Sequence, residues 1–155
     1  MNFKQHLSGG IIAATITTPI TIYTPTVLNT PNYYIIPILT IAFSLFPDLD
    51  TKSTPQKWYF RLLFLIITIL HFHYQKTDLA LIITTASITP LMFKHRGFTH
   101  WRINTVLIPC IIFIGYHTLI LKQPFEQQSF LITYGWYIIA SSIGYATHLV
   151  LDTKK

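Results

Sequence analysis

Charge is what this chain of 155 residues has least of: 10% of its residues are Asp, Glu, Lys or Arg, against roughly 25% in soluble domains. Acids number only five. A single cysteine, Cys110, sits inside an apolar run. That excludes an intramolecular disulfide and a CxxC metal site, so any metal would need imidazole and carboxylate ligands. The apolar runs lack strand-like alternation, and no internal repeat or linker divides the chain. One domain over residues 1–155 is therefore expected. What abounds is apolar: 51% of the residues, with mean hydropathy +0.47. A small domain leaves much of its surface wet and cannot hide that surplus, so lipid is its natural solvent.

Six apolar segments stand out, at Ser8–Thr24, Tyr33–Phe46, Tyr59–Tyr74, Asp78–Phe93, Trp101–Leu121 and Ser129–Leu151. Helices satisfy their backbone groups internally in lipid. The expected fold is thus all-α, a polytopic membrane helical bundle of about six transmembrane or partly re-entrant helices. The last two segments reach the ~20 residues that a span needs, and the middle ones are shorter. Pro19, Pro37, Pro90 and Pro109 are expected to kink or end helices. Lys4 followed by an apolar stretch resembles a secretory signal, but no small-x-small site follows, so the segment and its His6 are expected to remain.

The cations test orientation independently. With six spans and the N-terminus in the cytoplasm, Lys4, Lys52, Lys57, Arg61, Lys94, Arg96, Arg102, Lys154 and Lys155 lie inside. Lys76 and Lys122 lie outside, a strong positive-inside bias. Placed in short gaps between apolar runs, these cations do not form a nucleic-acid-binding stripe. Trp58 and Trp101 fall at inner ends of spans, and Tyr23, Tyr33, Tyr34 and Tyr74 at outer ends, as interfacial aromatics do.

This topology brings four His/Asp clusters to the cytoplasmic face: His6; Asp48 and Asp50; His95 and His100; His148 with Asp152. Asp48 and Asp50 follow Pro47, in a turn where both carboxylates can face one cation. His148 and Asp152, four apart, share a helical face. They can ligate one metal or bridge two, Asp152 can orient His148, or the two can simply hydrogen-bond. His95 and His100 need a break, which Gly97 offers, with Thr99 as cap of a helix starting near His100. Arg96 between them suits a phosphate or carboxylate, or serves as an orientation charge. His71, His73, His117, Asp78 and Glu126 fall towards the opposite face and are read as interfacial.

Phe46-Pro47-Asp48-Leu49-Asp50, then His95-Arg96-Gly97-Phe98-Thr99-His100, then Gly144-Tyr145-Ala146-Thr147-His148-Leu149-Val150-Leu151-Asp152, in this order, resemble the YdjM-like family. Its members are bacterial inner-membrane proteins described as metal-dependent hydrolases. His6 with Gly9 and Gly10 is similar to that family's N-terminal histidine segment. The family is distantly similar to zinc-dependent phospholipases C and single-strand nucleases, which cleave phosphodiesters with several metals. The resemblance implies metal ligation by Asp48, His95, His100, His148 and Asp152, with His6 and Asp50 as further members. Family members commonly continue past the aspartate matching Asp152, whereas this chain stops at Lys155, which implies a more open site or lost activity.

The expected function is therefore metal-dependent hydrolysis of a phosphoester, such as a lipid headgroup, at the cytoplasmic face of a bacterial inner membrane. One or two divalent ions would serve, zinc fitting best and manganese or iron being tolerated. Arg96 would stabilise charge on phosphoryl oxygens, and Asp50 would act as ligand or general base. The rival readings are a cation or proton transporter, which needs polar residues through the bilayer, and a non-catalytic scaffold with a structural metal.

Overall fold

The computed structural model describes residues 3–22, 34–50, 54–88 and 98–153. Within the described residues each apolar segment holds a helix: α1 (Phe3–Ile22), α2 (Ile35–Leu45), α3 (Thr54–Phe72), α4 (Thr77–Ile88), α5 (Asn104–Gly115) and α6 (Gln127–Thr153); Pro90 lies outside the described residues. A π-helical turn, Tyr116–Ile120, prolongs α5, and 3₁₀ turns occupy Phe46–Asp50 and Phe98–His100. There is no strand among the described residues.

Helix forms in these Ile- and Thr-rich stretches because the hydroxyls are satisfied within the helix. Thr18, Thr40, Thr68, Thr84, Thr118, Thr133 and Thr147 each donate to the carbonyl four residues back, at 2.6–3.1 Å. Such back-bonding removes the cost of a bare hydroxyl in an apolar setting. Pro37 sits in the first turn of α2, where an amide has no intrahelical partner to lose. Pro19 and Pro109 stay inside α1 and α5 rather than ending them. Thr99 does not cap α5. That helix starts at Asn104 with no side-chain cap, and the Thr99 hydroxyl lies 3.1 Å from His100 Nδ1.

No described helix is long and apolar enough to cross a membrane. The reason is length for some and polarity for others. With 11 and 12 residues, α2 and α4 reach only about 16–18 Å, against a hydrocarbon core of about 30 Å. The longer α1 carries Lys4, Gln5, His6 and Ser8, and α6 is diluted by glutamines, serines and tyrosines.

The chain forms two compact units, the second inserted in the first: Met1–Pro47 with Trp101–Lys155, and Asp48–His100. In the second unit α3 packs on α4 through a tight turn in which Gln75 takes φ 53°. Leu49 accepts a 3.0 Å bond from the Gln56 amide, and the Arg61 guanidinium lies 5.5 Å from the Trp58 ring centroid.

In the first unit α2 and α6 run parallel, Thr40 beside Gly144 and Ser44 beside His148. Helix α1 runs antiparallel to both, with Gly10 against Ser44 and Gly9 against Thr147 and Leu151. Two glycines set these approaches. A Cβ on Gly10 would collide with the Ser44 side chain, and one on Gly144 with the Thr40 carbonyl. Small residues at crossings let helix backbones come this close. The core joins Ile36 of α2 to Phe130, Tyr134, Tyr137, Ile138 and Ala140 of α6, with Phe113 of α5 packed on it. Outward, Ile11, Ile12 and Ile16 of α1, Ile111 of α5, and Leu131, Ile132 and Ile139 of α6 are exposed.

Candidate metal centre

The antiparallel run of α1 against α2 and α6 brings the start of α1, the end of α2 and the end of α6 to one end of the first unit. Three of the sequence-identified residues meet there. His6 Nε2 lies 3.4 Å from Asp152 Oδ1, and His148 Nε2 lies 3.9 Å from Asp152 Oδ2. The two imidazoles stack, centroids 3.9 Å apart and planes within 15°. His6 and His148 are 1% and 0% exposed, while the Asp152 side chain keeps 14%, which leaves the carboxylate as the opening to solvent.

Ser44 ties the three helices together here. Its carbonyl accepts a 2.8 Å bond from His148 Nδ1. Its hydroxyl donates 2.7 Å to the Ile41 carbonyl and lies 3.3 Å from the His6 carbonyl. The carbonyl is available because Ser44 is in the last turn of α2 and Pro47, three residues on, has no N–H to close a turn onto it. With Nδ1 engaged as donor, His148 turns Nε2 towards Asp152. The orienting group of His148 is thus the Ser44 carbonyl, and Asp152 stands on the other side of the ring. A backbone carbonyl in that role is the usual way a ligating histidine is fixed.

The spacing bears on what these donors fit. A charge-assisted N–H···O bond is about 2.7–2.9 Å long, shorter than both nitrogen–carboxylate distances. Ligand atoms round a tetrahedral ion at about 2.0–2.1 Å from each stand roughly 3.3 Å apart. The 3.4 Å edge matches that value and the 3.9 Å edge is somewhat wider. The two edges end on different oxygens of the carboxylate, and the stacked imidazoles lie in nearly parallel planes, so the three side chains form a candidate donor set in which one ring would have to turn to share an ion.

The other residues singled out in the sequence belong to the second unit or fall outside the description. Asp48 is half-buried in the turn Phe46–Asp50, and His100 is half-buried in the turn Phe98–His100. The Asp50 side chain, His95 and Arg96 lie outside the described residues. Of the histidines read as interfacial, His71 and His73 are exposed, but His117 is buried, at 7%. Sequence reasoning missed Ser44 and the glycine crossings. The available signal was a four-residue recurrence of small or polar residues in otherwise apolar helices: Thr40 and Ser44, Gly144 and His148.

Neither curated proteins nor solved structures give a match to this chain. A family model described as YdjM inner membrane protein matches residues 1–154, and the chain belongs to that family.

Proposed function

We propose that this chain is a multi-pass inner-membrane protein that holds a divalent metal, zinc fitting best, on His6, His148 and Asp152, and hydrolyses a phosphoester at the cytoplasmic face. The observation that carries this reading is the pair of imidazole nitrogens flanking one carboxylate at 3.4 and 3.9 Å, with His148 fixed from behind by the Ser44 carbonyl. Exposed isoleucines and leucines on α1, α5 and α6 suit lipid contact. The helices would cross as a tilted or locally thinned-bilayer bundle, since short helices are accommodated in that way. The bias of Lys and Arg along the sequence supports an orientation with the ligand end inside.

Two histidines and a carboxylate are the ligand pattern that leaves a position for water or substrate. An ion held there would supply Lewis acidity and would bring the pKa of bound water towards neutrality. His6 and His148, rigidly stacked, hold position while the partly exposed Asp152 marks the side from which substrate enters. The sequence motifs support Asp48, His95 and His100 as further donors, Asp50 as ligand or base, and Arg96 as partner of phosphoryl oxygens. Substrates of this reading are phosphodiesters or phosphomonoesters, a phospholipid headgroup among them. Manganese or iron would be accepted by the same donors.

The near-complete burial of both imidazoles favours a second reading, a structural ion in a non-catalytic scaffold. One experiment separates the two. Purified protein in detergent is loaded with zinc and assayed on a chromogenic phosphodiester and on phospholipid vesicles. The enzyme reading predicts turnover that chelator abolishes, zinc restores and Asp152→Asn lacks. Bound zinc without turnover favours the scaffold, and failure of the wild type to bind any metal sinks both.

A further inference from the structure

The second unit carries two exposed cations that meet no acid. Helix α3 holds Lys57 and Arg61 and neither Asp nor Glu. Both cations are exposed, and neither pairs with a carboxylate among the described residues. Four apart, they stand one turn from each other on one side of the helix. The Arg61 guanidinium is seated: it lies over the Trp58 ring, 5.5 Å from the centroid, within the range at which a ring face attracts a cation. Side chains on a helix lean towards its N-terminus, so Arg61 reaches back along α3 to Trp58.

Beside these cations an apolar stripe begins. Trp58, Leu62, Leu65, Ile69 and Phe72 follow at alternating spacings of four and three, and so line one side of α3. All of them are between 42% and 76% exposed, whereas Leu63, Ile67 and Leu70 on the opposite side are half-buried. Helix α4 packs on α3 and leaves the stripe uncovered. From Leu62 to Phe72 the helix rises about 15 Å, the length that one leaflet gives an acyl chain in a hydrocarbon core of about 30 Å. In a chain of an inner-membrane family, cations at one end of an exposed apolar stripe match the two parts of a phospholipid.

We propose that this side of α3 binds an anionic phospholipid, its phosphate on Arg61 and Lys57 and an acyl chain along Leu62, Leu65, Ile69 and Phe72. The Trp58 ring covers one face of the guanidinium and leaves the N–H donors at its edge, where the planar fork engages two phosphate oxygens at once. Seating on the ring reduces the side-chain freedom that is lost when a phosphate binds. Lys57 adds a second charge, a compact one that needs no fixed direction. A zwitterionic headgroup brings an ammonium group with its phosphate, and α3 offers that group no carboxylate. An anionic headgroup is therefore the one preferred. The inference rests on membrane residence and on this unit alone, and it is independent of the metal reading.

The test is native mass spectrometry of the full chain, purified in detergent and titrated with phosphatidylglycerol or phosphatidylcholine of the same acyl chains. The wild type should bind the anionic lipid more tightly. Lys57→Gln should lower that affinity about fivefold, the effect of one cation near an anionic headgroup, and Arg61→Gln about tenfold. Arg61→Lys and Trp58→Leu, which keep the charge and lose the seated fork, should each lose most of what Arg61→Gln loses. Lys76→Gln, which removes an exposed cation at the turn after α3, should bind like the wild type. Inorganic phosphate in large excess should not displace the lipid, since it has no chain to lay on the stripe. Should Arg61→Gln depart from the wild-type circular dichroism spectrum, Trp58→Leu takes its place. Equal affinity of the wild type for the two lipids overturns the inference. So does a loss in Lys76→Gln equal to that in Arg61→Gln, wild-type binding by both Arg61→Lys and Trp58→Leu, or displacement by phosphate.

Discussion

His148 and His117 are both buried imidazoles of the first unit, at opposite ends of it, and their surroundings differ in kind. His148 donates to the Ser44 carbonyl, stacks on His6 and turns its other nitrogen to Asp152. His117 meets the Pro124 carbonyl at one nitrogen, and its ring stands edge-on to Phe130 and Tyr134, centroids 5.8 and 5.6 Å away. No acid partners it among the described residues. Burial alone therefore does not mark a ligand. Among the described residues of this unit a second imidazole and a carboxylate stand beside His148 and not beside His117, which makes the former the candidate.

This contrast can be broken by substitution. The largest effect is expected from His148→Ala, which strands the Ser44 carbonyl, opens a cavity and removes a donor. A loss of about 3 kcal/mol is expected from those causes, read as a fall in unfolding midpoint in detergent, together with loss of bound metal. Gly144→Ala comes next. Its methyl falls on the Thr40 carbonyl, so the parallel pair α2 and α6 must part, at about 2 kcal/mol by the same measurement.

His117→Phe keeps an aromatic ring among aromatics and deletes only the bond to Pro124, so about 1 kcal/mol is expected, with metal content unchanged on elemental analysis. The smallest effect belongs to Ile132→Leu, on the exposed side of α6. Its midpoint should stay within about 0.5 kcal/mol of the wild type.

How much of this was legible in the sequence varies with the physics involved. Helix positions were, because apolar runs bounded by polar residues fix where helices lie, and each run became one. The shortness of the middle helices was legible as well, and the exact helix starts were not. Ile35–Leu45 stops short of a span, and the polar starts of α1 and α6 sit inside helices rather than before them. His148 and Asp152 on one face follow from a spacing of four. That His6 would be the stacking partner of His148 depended on the antiparallel approach of α1, which Gly10 permits and no periodicity announces. Ser44 was illegible as an orienting group because it acts through its carbonyl, which every residue has. His117 was read as interfacial because it falls towards the face away from the acids; the aromatic residues against its ring, Phe130 and Tyr134, come from the next helix, α6.

Zinc-edge X-ray absorption of purified, zinc-loaded protein tests the central claim most directly. Wild type and His117→Phe are expected to give the same spectrum, a nitrogen and oxygen shell at about 2.0–2.1 Å with imidazole scattering, and His148→Ala to lose it. An unchanged spectrum in His148→Ala, or loss of the signal in His117→Phe instead, would contradict the assignment of the metal to the His6, His148 and Asp152 end.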